Sequence, residues 1–241
     1  MATFKHISSK NADYGAAEQY LTFEHDEFTM KPTLDGNGRL VPRDGYRISS
    51  LNCGGEDFAI ACMRSNLKYG KNQKREDVKS HHYIISFDPR DASDNGLTVD
   101  RAQVLGEQFC KEHFPGHQAL VCTHPDGHNH SGNIHVHIVI NSLRIAEVPL
   151  LPYMERPADT REGCKHRCTD AAMEYFKAEV MEMCHRENLY QIDLLNGSKN
   201  RITEREYWAK RKGQAALDKE NASQAATGEP PKQTKFETDK E

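Results

Sequence analysis

Three segments in the middle of the chain have the apolar pattern of β-strands. The first runs from His82 to Phe87 and ends at Asp88-Pro89. The other two cover residues 118–124 and 134–142, separated by a turn rich in glycine and histidine. Short apolar runs bounded by turn residues are typical of strands, and the tight turn predicts that the last two strands pair antiparallel.

Four other segments repeat their apolar residues at helical spacing. Thr98 precedes one such stripe as a helix cap, and Gly70 follows another as a C-cap. Residues 32–46 carry turn residues and predict a loop or a loose hairpin. Helices before and after an antiparallel pair predict an α+β fold with a central antiparallel sheet. The helical ranges are 11–21, 56–69, 98–114 and 169–187.

The polarity of the chain changes near its end. Residues 214–241 are polar and lack periodicity, which predicts a flexible tail after a domain at residues 1–213. We expect this tail to begin a linker to further domains. No run approaches the 18 apolar residues of a membrane-spanning helix, and the N-terminus lacks the apolar stretch of a secretory signal. A protein of the cytoplasm without membrane insertion is therefore expected.

Charge is distributed unevenly, although the net charge is only −4. Residues 68–79 carry five basic side chains, and residues 199–212 carry six, interleaved with Tyr207 and Trp208. Cations follow phosphates and aromatic rings stack on bases, so these two segments favour a nucleic-acid partner. An ordinary helix with a solvated charged face explains the second segment equally well.

Seven cysteines, an odd number, favour reduced thiols over a disulfide framework. Cys164 and Cys168, with Cys184 further on, also allow a small zinc site. Their spacing matches no common zinc motif, so free and partly buried thiols are the preferred interpretation.

Five histidines fall within fourteen residues, from His124 to His137. Alternate residues of a strand share a face, so His135 and His137 point the same way, and a hairpin places His124 beside them. Three imidazoles on neighbouring strands suit a divalent ion and leave coordination positions open for water or substrate. A polar strand face without metal is the simpler alternative. His128 and His130, in the turn, are alternative third ligands.

The same residues resemble the signature of the HUH relaxases, the mobilisation nucleases of conjugative plasmids and integrative elements. The resemblance is carried by His135-Val-His137 with Asn141, by His124-Pro-Asp126 upstream, and more loosely by flanking sequence over about residues 10–210. It implies a palm-like, RRM-like antiparallel sheet holding Mg²⁺ or Mn²⁺, with Zn²⁺ as another option. It also implies a tyrosine that nicks single-stranded DNA at a transfer origin and leaves a 5′-phosphotyrosyl link.

Relaxases place the nucleophile near the N-terminus, often in a Tyr-Leu pair, so Tyr20-Leu21 is the first candidate and Tyr14 the second. Packing of the ring onto the sheet is the ordinary role of a tyrosine at helical spacing. Asp126 is a candidate catalytic or ligand-orienting carboxylate, and Asp13 and Glu24 are other candidates for the activating base. The expected DNA contacts are Lys71, Lys74, Arg75, His82, Asn141, Arg205, Tyr207, Trp208, Lys210 and Arg211. For His82, a buried and hydrogen-bonded side chain is the alternative interpretation.

The resemblance further implies an accessory DNA-binding protein and a type IV coupling protein as partners of a bacterial, monomeric enzyme. Three other functions remain open on the residues alone. They are a replication-initiator HUH nuclease, a zinc hydrolase that uses metal-activated water without a covalent step, and a DNA-binding module with structural histidines.

Overall fold

The fold is built on one five-stranded sheet. A computed structural model describes residues 2–26, 28–126, 132–196 and 204–227. The strands lie in the order β1-β3-β5-β4-β2, and every neighbouring pair is antiparallel. The predicted α+β class with a central antiparallel sheet is therefore confirmed. The strands are β1 (Thr3–Ser9), β2 (Arg47–Leu51), β3 (Ser80–Ser86), β4 (His117–His124) and β5 (His135–Arg144).

Helices flank the sheet on both faces. The helices in the described ranges are α1 (Gly15–Thr22), α2 (Phe58–Tyr69), α3 (Arg90–Asp94), α4 (Val99–His113), α5 (Asp170–Arg186) and α6 (Glu204–Thr227), with a 3₁₀ turn at Pro157–Thr160. The predicted caps of α2 and α4 are present. Gly70 ends α2 in the left-handed region, at φ 61°, and the Thr98 hydroxyl accepts a hydrogen bond from the Arg101 N–H.

Two apolar clusters lie on opposite faces of the sheet. The larger packs α4 and α5 on one face, through residues such as Phe109 and Phe176. The smaller packs α1 and α2 on the other face, where Leu21 and Phe58 meet Val139. All residues of β4 and β5 are buried or nearly so, because helices cover both of their faces. Their sequences therefore lack a strict alternation of apolar and polar residues.

The sequence pattern does not predict the two outer strands, β1 and β2. β1 alternates between exposed and half-buried residues, and β2 consists of Arg-Ile-Ser-Ser-Leu. Each is an edge strand with one paired side, so neither needs the apolar run that identifies a central strand. The loose hairpin expected at 32–46 is present in part, as the bridge between Leu34 and Leu40.

Gly106, in the middle of α4, brings that helix unusually close to the sheet. A Cβ atom at this position would lie 2.4 Å from Cγ1 of Val136 and 3.3 Å from Cγ1 of Val121. Glycine costs about 1 kcal/mol relative to alanine inside a helix. Here the absence of a side chain lets α4 pack directly against β4 and β5.

The chain divides into two compact units, Met1–Asn196 and Gly197–Glu241. Helix α6 belongs to the second unit and continues past residue 213, so the first part of the predicted tail has a helical backbone. The division into a domain at 1–213 and a tail stays a prediction. None of the helices in the described ranges has the length and apolarity needed to cross a bilayer.

All seven cysteines are free thiols. Cys168 Sγ lies 3.5 Å from His6 Nδ1, while Cys184 is fully buried in the larger apolar cluster. In the described ranges, these thiols do not gather with other ligands into a metal site. The alternative of a cysteine zinc site is therefore not supported.

Three buried histidines make the fold sensitive to acid. Burial lowers the pKa of His81 and His117 to about 3 and that of His113 to about 4. Below pH 6.5 the unfolded chain binds protons that the folded chain does not, so the free energy of unfolding decreases as the pH falls towards these values. We expect a loss on the order of 1–2 kcal/mol per histidine between pH 7 and pH 5, measurable by urea unfolding in EDTA.

The variant His117→Gln removes one of the titrating groups and should lose less stability over the same interval. An unfolding free energy that stays constant between pH 7 and pH 5 would contradict this account.

Candidate active site

His124, His135 and His137 gather at one end of the two central strands. The register of β4 and β5 places His124 opposite His135 and Cys122 opposite His137. One ring nitrogen of each of the three histidines lies within 4.8 Å of the others, and the ring centroids are 4.7–5.0 Å apart. All three rings are buried or nearly so, at 2%, 9% and 4% exposure. The convergence predicted from strand alternation is confirmed.

Each imidazole of the cluster has a hydrogen-bond partner on one ring nitrogen. His124 Nε2 lies 2.8 Å from the Leu21 carbonyl oxygen, and His135 Nδ1 lies 3.2 Å from that of Asn133. His137 Nδ1 lies 2.8 Å from Nε2 of His82 on β3. Such partners fix the tautomer and orientation of metal-binding histidines. No sequence pattern identifies the two carbonyl groups in advance, since any residue supplies one.

For His124 and His135 the partner is a carbonyl oxygen, which can only accept, so the direction of these two hydrogen bonds is fixed. A ring that donates N–H to a carbonyl oxygen is an acceptor at its second nitrogen, so His124 Nδ1 and His135 Nε2 both present lone pairs at 3.2 Å. Nitrogens bound to one tetrahedral ion with bonds of 2.0–2.1 Å lie about 3.3 Å apart. His124 and His135 are therefore spaced as two ligands of one divalent metal ion, and His137 completes a donor set that fits such an ion, with the three nitrogens within 4.8 Å of one another.

Tyr20 on α1 lies against this cluster. Its ring meets the ring of His137 edge-on, with centroids 6.4 Å apart and an interplanar angle of 89°, and it contacts the ring of His25 at 5.1 Å. The next residue, Leu21, supplies the carbonyl that holds His124. One turn of helix thus brings a phenol to the histidines and orients one of them. Burial raises the pKa of Tyr20, and nearby Arg43 opposes the shift.

Tyr14, the second candidate nucleophile, lies in a buried polar network instead. Its hydroxyl donates to the Lys79 carbonyl oxygen at 3.0 Å and accepts from Asn66 Nδ2 at 2.8 Å. Burial raises the pKa of Tyr14 to about 12. A phenol engaged in this way serves packing and the polar core, so the geometry favours Tyr20 over Tyr14.

Arg43 is a neighbour of the site that the sequence does not reveal. It lies in the segment expected to be a loop, and its guanidinium carbon is 5.9 Å from the centroid of the Tyr20 ring. Burial lowers its pKa, and the Tyr20 and Cys122 groups oppose the shift. Turn residues surround Arg43 in sequence, and the backbone pairing of Pro42 and Arg43 with the end of α1 brings it to the phenol.

The remaining candidate residues occupy varied positions. Asp126 accepts a hydrogen bond from the Gly132 N–H at 2.6 Å, and its catalytic role stays a prediction. Asn141 is fully buried, and its side chain bonds Gln118, Ser65 and the Leu143 N–H. A direct contact of Asn141 with DNA is therefore not supported, because no surface of the residue is accessible.

Basic residues lie on two stretches of the chain, the loop after α2 and helix α6. Lys71, Lys74 and Arg75 follow α2 in an exposed loop, which is compatible with contacts to a nucleic acid. Arg205, Tyr207, Trp208, Lys210 and Arg211 all lie on α6, in the second unit, and their role stays a prediction. The alternative ligands His128 and His130 fall outside the described residues.

His82 is among the residues expected to touch DNA, and its hydrogen bond to His137 gives it a positioning role. We expect His82→Phe to weaken metal binding by roughly 10–100-fold, because His137 loses the partner that fixes its ring. His82→Gln retains an acceptor and should restore part of the affinity. Calorimetric titration with Mn²⁺ and Zn²⁺ measures both. Unchanged affinity in His82→Phe would show that His82 does not position His137.

The segment that carries the three histidines is similar in sequence to known proteins. Residues 42–148 match the family model for relaxases described as MobA/VirD2-like, nuclease domain. Protein rlx of Staphylococcus aureus is 29% identical over an alignment of 187 residues, and the match covers 75% of this chain and 48% of that protein. The chain thus spans about half the length of this curated relative.

Two solved structures show a looser similarity. One, concerned with the molecular basis of vancomycin resistance transfer in Staphylococcus aureus, has a TM-score of 0.46 and 14% identity, and covers 84% of this chain and 97% of its own. A metal-bound complex of the conjugative relaxase TrwC with oriT DNA has a TM-score of 0.37 and 12% identity, covering 98% of this chain and 88% of its own. Because both scores are low, the assignment rests on the sequence match. Residues 42–148, which hold all three histidines, are similar to the relaxase family in its MobA/VirD2-like form.

Proposed function

We propose that this chain nicks single-stranded DNA at a transfer origin, with Tyr20 as the nucleophile and His124, His135 and His137 as metal ligands. The observation that carries the proposal is the edge-on contact between the phenol ring of Tyr20 and the ring of His137, which is one of the three clustered histidines. The family match begins at residue 42 and does not include Tyr20. The choice of nucleophile therefore rests on this geometry.

The reaction exchanges one phosphodiester for another. The Tyr20 oxygen attacks phosphorus, a new O–P bond forms, and the bond from phosphorus to the 3′ oxygen of the preceding nucleotide breaks. The proton of the phenol leaves during attack, and the departing 3′ oxygen takes up a proton to become a hydroxyl. The energy of the broken phosphodiester bond is retained in the phosphotyrosyl bond, so the reverse reaction can join the 5′ phosphate to an incoming 3′ hydroxyl.

The phenol needs activation, because burial holds it in the neutral form. Arg43 over the Tyr20 ring favours the phenolate by its charge. His25, whose ring contacts that of Tyr20, donates from Nδ1 to the Phe23 carbonyl oxygen, which leaves Nε2 as an acceptor. His25 is therefore a further candidate for the proton acceptor, beside the carboxylates considered from the sequence.

A divalent ion on the three histidines would neutralise charge that develops on the phosphate oxygens. Imidazole nitrogens suit transition metals, whereas Mg²⁺ prefers oxygen ligands. We therefore propose Mn²⁺ or Zn²⁺ as better occupants than Mg²⁺. We further propose that the enzyme works in the bacterial cytoplasm and that its partners include an accessory DNA-binding protein and a coupling protein.

The proposal is tested by trapping the covalent product from a pool of strands, so that the nick site need not be specified. The protein is incubated with Mn²⁺ and a library of single strands carrying a randomised segment between fixed ends. Strands that survive denaturation attached to protein are then sequenced. Enrichment of one sequence in a covalent adduct supports the relaxase. Cleavage without an adduct would indicate a metal hydrolase, and binding without cleavage would indicate a DNA-binding module.

A further inference from the structure

Arg43 is attached to the helix that carries Tyr20. The backbone N–H of Arg43 donates to the Thr22 carbonyl oxygen at 2.9 Å, and Pro42 forms a β-bridge with Phe23. These backbone contacts with the end of α1 place Arg43 beside the phenol, and its guanidinium carbon lies 5.9 Å from the centroid of the Tyr20 ring.

Two donors of this guanidinium lack an acceptor. Nε and Nη2 of Arg43 are shielded from solvent and, in the described part of the chain, make no hydrogen bond. Buried donors in folded proteins are nearly always paired, so an orphaned pair on a charged group needs an explanation. A neighbouring carboxylate does not provide one. Glu24 exerts only the last and smallest of the favourable charge effects on Arg43, and its side chain is exposed.

We propose that Arg43 binds a phosphate group, with Nε and Nη2 donating to two of its oxygens beside the three-histidine cluster. Nε and one Nη form a planar fork that matches two oxygens of a phosphate. The site combines this cation with a place for a divalent ion, and a phosphate between them would compensate both charges. This inference rests on the proposed function, in which the phosphate is the scissile group of the DNA strand.

The alternative to a phosphate site is that Arg43 only stabilises the Tyr20 ring by a cation–π contact. In that case the face of the guanidinium is used, and its edge donors remain unpaired. In a phosphate site the same edge donors become bonded. The readout must therefore report on Nε itself.

In the first test, inorganic phosphate is titrated into the metal-free full chain in EDTA. The titration is monitored by NMR, through the ¹H–¹⁵N signals of the arginine Nε groups. The signal missing in Arg43→Lys belongs to Arg43. A saturable shift of this signal at phosphate concentrations that leave Arg47 unmoved is the expected result. Arg47 is a matched control, since it is exposed and already paired with Asp100 at 2.6 Å. Parallel, unsaturated shifts of both signals would overturn the proposal.

The second test uses the strand selected by covalent capture. Arg43→Gln should form adduct roughly 10²-fold more slowly, the loss typical of one removed transition-state donor, while Arg43→Lys keeps the charge and recovers part of the rate. Arg47→Gln should react like the wild type. Equal rates in the wild type and Arg43→Gln would overturn the proposal and leave the relaxase function intact. The absence of any adduct in the wild type would refute the proposed function, and the phosphate titration would still decide the role of Arg43.

Discussion

Tyr20→Phe is expected to abolish the covalent protein–DNA adduct, with a loss of roughly 10⁴-fold or more, because a reaction that proceeds through one nucleophile has no substitute for it. Phenylalanine keeps the ring contacts with His137 and His25, so the fold and the histidine cluster should persist. The measurement is the fraction of labelled strand that migrates with the protein on a denaturing gel. Equal thermal unfolding of the two proteins verifies that only the hydroxyl has been lost.

Tyr14→Phe is the matched control for this experiment. It removes the same hydroxyl from a buried network with Lys79 and Asn66, which should cost about 1–3 kcal/mol of stability. The adduct should still form in this variant below its unfolding temperature. An adduct that persists in Tyr20→Phe and disappears in Tyr14→Phe would transfer the nucleophile to Tyr14. Peptide mapping of the labelled tyrosine would confirm either outcome.

His137→Ala should reduce metal affinity by more than the roughly 10–100-fold expected when only its hydrogen-bond partner His82 is changed. The ring of His137 lies 4.7 Å from that of His124 and 4.8 Å from that of His135, and its loss leaves only two of the three ligands. Adduct formation should fall with metal occupancy, and EDTA should produce the same loss in the wild type. Calorimetry and the denaturing gel measure the two effects separately.

The identity of the ion can be determined in the same titrations. Three imidazoles should bind Zn²⁺ more tightly than Mn²⁺, and Mn²⁺ more tightly than Mg²⁺. His185→Ala, which removes an exposed histidine from α5, should leave all three affinities unchanged. Equal affinity in His137→Ala and the wild type would show that metal binds elsewhere. Tight Mg²⁺ binding would require oxygen ligands that the described cluster does not contain.

The pattern of residues is sufficient to predict the sheet that carries the histidines. Alternation in β5 and the register of a hairpin are local properties, so the convergence of His124, His135 and His137 follows from sequence. Tyr20 requires the family resemblance, since a tyrosine at helical spacing is usually a packing residue. Its position beside His137 depends on how α1 crosses the sheet, which no local pattern encodes.

Other features depend on contacts between distant segments. Asn141 has the polar character of a binding residue, yet five polar neighbours from β4, α2 and adjacent segments surround it. Arg43 has the sequence surroundings of a turn, and its partial burial accompanies the backbone pairing of Pro42 and Arg43 with the end of α1. In both cases the local sequence around the polar side chain is the same whether that side chain is exposed or buried in the folded protein.

The close approach of α4 at Gly106 has a consequence for the chemistry on the other face. The side chain that occupies the space beside Gly106 belongs to Val136, the residue between His135 and His137. Any larger residue at 106 must push this valine and thereby tilt the two flanking imidazoles. The distances between the three imidazoles are thus open to adjustment from the opposite face of the sheet, by substitutions that leave all three histidines in place.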